Sequence, residues 1–111
     1  MSYHDHNLGN GLHLVKLSGP LNAGQAERTR QQFNILAERG IKQVIVDLAE
    51  VPFIDSRGLS ALIAGYRSFG SKAPNFRLVT LQRQPKLLFE LTGFDRIFQV
   101  FDHVDQVMMT L

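Results

Sequence analysis

The sequence predicts one α/β domain: a mixed β-sheet of four to five strands flanked by about four α-helices. Three observations lead there. Val44-Ile-Val-Asp-Leu-Ala49 is a nearly continuous apolar run, the pattern of an interior strand that is covered on both faces. Strand-like runs alternate with amphipathic stretches of helical period, as they do in a sheet whose strands are joined by right-handed helical crossovers. The chain has 111 residues, 44% of them apolar and none cysteine, which is enough for one core without disulfides and too little for a second domain.

The elements follow in order. Residues 1–10 form a polar leader with room for a short first strand, and Asn10-Gly11 reads as the tight turn into a second, Leu12-His-Leu-Val-Lys-Leu17. Ser18-Gly-Pro-Leu-Asn22 ends that strand. Ala23 to Glu38 then sets Ala26, Phe33, Leu36 and Ala37 against a charged side, a first helix capped by Asn22. Gly40 stops it before the interior strand, and a helix is expected on each face of the sheet. Beyond Pro52, Asp55-Ser-Arg-Gly58 leads into Leu59, Leu62, Ile63 and Tyr66, whose i, i+3, i+4, i+7 spacing is the clearest helical stripe in the chain.

After a connection at Gly70 to Asn75, Phe76-Arg-Leu-Val-Thr-Leu81 reads as a strand. Gln84-Pro85 opens a short helix that closes at Thr92-Gly93. Ile97-Phe-Gln-Val-Phe101 is the last strand, and Asp102 with Asp105 resembles a capping pair for a terminal helix carrying Val104, Val107, Met108 and Leu111. Phe76, Phe89, Phe94, Phe98 and Phe101 are expected to form one aromatic cluster in the C-terminal half.

Composition narrows the function. Four lysines and eight arginines against ten acids leave a formal charge of +2, scattered singly, so no run of cations stands ready for successive phosphates or an anionic membrane. The start lacks a basic-then-apolar leader and no apolar run approaches a membrane span, so a cytoplasmic protein is expected. His4, His6, His13 and His103 make no compact ligand set and are expected at the surface without metal. No phosphate-cradling glycine loop occurs, and Asp47 serves as well for the end of its strand as for acid–base chemistry. No catalytic group and no cofactor are expected, and the chain is read as a non-enzyme.

The constellation that stands out is Phe53-Ile-Asp-Ser-Arg-Gly-Leu59, beyond the carboxyl end of the interior strand, where α/β sheets gather recognition. Ser56 falls at the positive end of the following helix, either as its cap or as a hydroxyl open to modification.

Pro52-Phe-Ile-Asp-Ser-Arg-Gly-Leu-Ser-Ala-Leu62, preceded by Gln43-Val-Ile-Val-Asp-Leu48, resembles the signature of STAS domains, specifically the stand-alone anti-sigma factor antagonists of bacteria. Leu17-Ser-Gly-Pro-Leu-Asn22 is similar to that family's Gly-x-Leu-Asp corner, and Phe89-Glu-Leu-Thr-Gly-Phe94 to its late helix and turn. The resemblance implies a small STAS-like sheet-and-helix fold and a phosphoacceptor at Ser56. It implies recognition of a partner kinase through Asn22, Asp55, Arg57, Gly58 and Leu59. The implied partner is an anti-sigma factor that is also a serine kinase of the histidine-kinase-like ATPase type, released when Ser56 is phosphorylated; a serine phosphatase would reverse the mark. Weak homodimerisation is left open. So is a second role, a non-phosphorylated binding subunit of a transporter or signalling assembly. Arg57 stands where many members have a second Ser or Thr, and Asn22 where many have Asp.

Overall fold

The computed structural model describes residues 1–70 and 75–111; the connection at 71–74 lies outside the described residues. Five strands form one sheet in sequential order: β1 (Ser2–Gly9), β2 (Leu12–Ser18), β3 (Gln43–Glu50), β4 (Phe76–Val79) and β5 (Gln99–Phe101). The first pair is antiparallel and the rest are parallel. Helices α1 (Ala23–Glu38), α2 (Ser56–Ser68) and α3 (Arg83–Thr92) make the crossovers, and α4 (Val104–Met108) follows β5.

The polar leader is a full eight-residue edge strand rather than a short one. Asn10 and Gly11 take φ of 56° and 77°, the doubly left-handed turn that suits the twist of a two-residue hairpin. β1 stays polar because it has a neighbour on one side only and little of it is buried. Its Asp5 receives a hydrogen bond from His13 at 2.7 Å, and His13 is buried in β2 rather than lying at the surface.

Strands added one after another, each through a right-handed crossover, lay every crossover helix on the same face of the sheet. Phe33 and Leu36 of α1, Leu59 and Leu62 of α2 and Phe89 of α3 therefore share one core with Val15, Leu17, Val44, Val46, Phe76 and Leu78. The expectation that a helix covers each face holds, unequally: among the described residues the opposite face carries the five-residue α4, whose Val107 packs on Leu12, Ile45 and Val79. Near β1 that face is open.

The expected aromatic cluster is corrected: Phe76, Phe89, Phe94 and Phe98 do touch, with Phe89 stacked on Phe98 at 5.6 Å, but Phe33 of α1 and Phe69 at the end of α2 join them. Phe101 belongs to the other face because side chains alternate along β5.

Three boundaries also move. β4 ends at Val79, since Thr80 adopts φ of 62° and leaves the extended region. A 3₁₀ turn at Phe94–Arg96 delays β5 to Gln99. The cap of α4 is His103, whose Nδ1 accepts from the Asp105 amide, so Asp102 does not cap it. Pro85 occupies the third position of α3 and is buried; Gly93 closes that helix at φ of 77°. No helix among the described residues is long and apolar enough to cross a membrane.

Candidate functional site

The site forms where two strand-to-helix corners run side by side. Gly19 N–H donates to the Glu50 carbonyl at 2.9 Å, Leu21 N–H to Phe53 at 2.8 Å, and Asp55 N–H back to Leu21 at 3.2 Å. Leu21 and Ile54 form a parallel bridge, both fully buried. This ladder continues the β2–β3 pairing past the sheet and sets the first turns of α1 and α2 next to each other.

Helix N-termini carry unsatisfied amides and a partial positive charge, so two of them together need acceptors. One carboxylate serves both. Asp55 Oδ1 accepts the Gly58 amide at 2.8 Å and Oδ2 accepts the Ala23 amide at 2.9 Å, while Asn22 Oδ1 accepts the Gly24 amide at 3.0 Å. The Gly58 amide chiefly, then those of Ala23 and Arg57 and the Arg57 charge, hold the Asp55 carboxyl below its ordinary 3.8.

Because Asp55 is the cap, Ser56 is not. It is the first residue of α2, exposed, and its hydroxyl has no hydrogen-bond partner among the described residues. Of the two readings open from sequence, the cap is overturned, because Asp55 takes that place. Arg57 is exposed beside it, Phe53 is 44% exposed, and Asn22 is half-buried. Between α1 and α2 an open groove of about 190 Å³ is lined by Ala23, Ala26, Glu27, Arg30, Arg57 and Ser60.

Gly58 and Leu59 lie beneath this surface. Leu59 is in the core, and a Cβ on Gly58 would sit 2.1 Å from the Leu21 carbonyl oxygen, so the two hold the corner from behind. Sequence reasoning missed Gln84. Its amide clamps Ile54 in both directions, accepting from the Ile54 amide at 2.9 Å and donating to the Ile54 carbonyl at 3.0 Å, and so ties α3 to the loop. Gln82 adds a single bond to the end of β3, donating to the Ala49 carbonyl at 2.7 Å. Their position in the chain marks only a helix start, so no local signal reveals partners some thirty residues away. Asp47 accepts the Ala49 amide at 2.9 Å, the strand-end role.

The model of the STAS domain matches residues 7–107. An anti-sigma F factor antagonist of Paenibacillus polymyxa is 22% identical over 94 residues, 84% of this chain and 80% of its own. The structure is similar to that of an anti-sigma factor antagonist from Mycobacterium paratuberculosis, with a TM-score of 0.86 and 24% identity over 98% of this chain and 92% of that one. It is also similar to the Bacillus cell fate determinant SpoIIAA in its phosphorylated form, with a TM-score of 0.74 and 14% identity over 99% and 100% of the two chains.

Proposed function

The chain belongs to the STAS domain family, and from that premise we propose that it is an anti-sigma factor antagonist switched at Ser56. Unmodified, it binds an anti-sigma factor that is also a serine kinase; phosphorylated, it lets go. The relatives named as antagonists support the class of partner. The observation that carries the switch is the free, exposed Ser56 hydroxyl at the start of α2, left unused because Asp55 caps that helix.

A phosphate there adds about −1.5 to −2 charges and three acceptor oxygens. The helix end favours that charge, and Asp55 beside it opposes it. The added bulk and charge fall within the surface made by Asn22, Phe53, Ser56 and Arg57, where a docked partner needs close fit. Arg57 is placed to meet an acidic group of the kinase or the phosphate itself. ATP and its Mg²⁺ are the kinase's, and a serine phosphatase restores the binding form.

The test is to incubate the chain with a purified anti-sigma factor kinase of the histidine-kinase-like ATPase type from the same organism and ATP, locate the phosphate by mass spectrometry, and measure binding of two variants. Phosphate on Ser56, with Ser56→Ala still binding and Ser56→Asp released, is the expected result. Equal binding by both variants and no mark on Ser56 would leave a STAS module that binds without switching.

A further inference from the structure

The motif His4-x-His6 plays no part in the site above, yet the fold gives it a geometry that a polar leader would not have. Both residues lie in β1, opposite Lys16 and Leu14 of β2. Residues two apart in a strand point to the same face, and at a rise of about 3.3 Å per residue their Cα atoms are roughly 6.6 Å apart. Two imidazoles at that spacing can reach one ion at nitrogen–metal distances of about 2.0–2.1 Å. The face is the one that α1, α2 and α3 leave uncovered, and both histidines are exposed.

Their rings are also uncommitted. His13 is bonded to Asp5, and His103 caps α4 and faces Asp105, whereas neither His4 nor His6 has a hydrogen bond or ion pair among the described residues. Charge on the same face does not oppose a cation as strongly as Lys16 alone would. Lys16 is paired with Glu50 at 2.7 Å, which offsets its charge. Asp47, opposite Lys16, adds a second carboxylate to the row.

We propose that His4 and His6 form a two-histidine chelating site for a divalent transition-metal ion on the open face of the sheet at its β1 edge. No third ligating side chain converges on the pair among the described residues, so water fills the other positions. Nitrogen donors of this kind favour Cu²⁺ over Ni²⁺ and Zn²⁺. The imidazoles must be neutral to bind, so acid releases the ion. The site is independent of the switch at Ser56.

The experiment titrates the intact chain with Cu²⁺ and Ni²⁺, using NMR to locate paramagnetic broadening and calorimetry to count ions. Broadening centred on His4 and His6 and spreading to Leu14 and Lys16, with one ion per chain, is expected. Either His4→Gln or His6→Gln should weaken binding by roughly tenfold or more, since losing even an outer-shell partner costs about 10–100-fold in metal affinity and here a donor itself is lost, and His103→Gln should leave it unchanged. Unaltered binding in the double variant, or broadening centred on His103, would overturn the proposal. The wild-type map decides the matter even if a variant folds poorly.

Discussion

Replacing Gly58 by alanine isolates the close approach on which the two-helix corner depends. The added Cβ would lie 2.1 Å from the Leu21 carbonyl oxygen and 2.9 Å from its carbon, against a floor of 3.0 Å for real contacts. The obstruction is backbone, so it cannot swing aside as a flexible side chain would. Moving α2 away by about 0.9 Å strains the Leu21–Asp55 hydrogen bond and the Leu21–Ile54 bridge beneath the site. Overpacking of this kind costs about 1–3 kcal/mol, and the weakened hydrogen bond adds about 0.5–1.5 kcal/mol. Alanine's better helix propensity returns about 1 kcal/mol. The net is a loss of about 0.5–3.5 kcal/mol, read as a lower urea midpoint at unchanged slope. A Gly58→Ala chain as stable as wild type, or more stable, would refute the reasoning, since propensity alone would then have decided the outcome. Partner binding should weaken in the same variant although no exposed group has changed.

Two further outcomes follow from the site. Asp55 has its folded value depressed below 3.8 by the amides it accepts, so the stability it contributes is present above 3.8 and fades as the pH falls through the lower folded value. The difference in urea midpoint between wild type and Asp55→Asn should therefore be largest near neutrality and close below 3.8; a difference independent of pH would contradict the dual cap. Gln84→Leu leaves the Ile54 amide and carbonyl without their partners and should cost about 1–3 kcal/mol in chemical unfolding. Loss of the clamp should also weaken docking at the Ser56 surface, measured by titration with the kinase, while unchanged stability would show that the clamp is dispensable.

Much of the fold was legible because its signals are local. The run at Val44–Ala49, the stripe at Leu59–Tyr66, the Asn10-Gly11 turn and the Asn22 cap each need only a few neighbouring residues to be read, and each is found where expected. The misreadings share a different cause. Polar β1 carries no apolar alternation, and its strand status rests on backbone pairing with β2. Phe101 looks like Phe98 in sequence, but Phe98 precedes β5 and packs in the helix-covered core, whereas Phe101 in the strand packs on the other face.

By itself the sequence determined that Ser56 stands at the head of a helix beyond an interior strand, and that Asp55 and Gly58 accompany it. Propensity, period and capping chemistry act over one or two turns, so those facts are local. The local Asp55–Gly58 cap leaves the Ser56 hydroxyl unused, and tertiary structure decided what lies beside it. Parallel pairing carried past the sheet brings Ala23 within reach of Asp55, thirty-two residues away, and one carboxylate then satisfies two helix ends. The first turns of α1 and α2 are thereby set side by side, next to the exposed Ser56. The sequential strand order likewise placed three helices on one face and left His4 and His6 together on the other, an arrangement no single segment encodes.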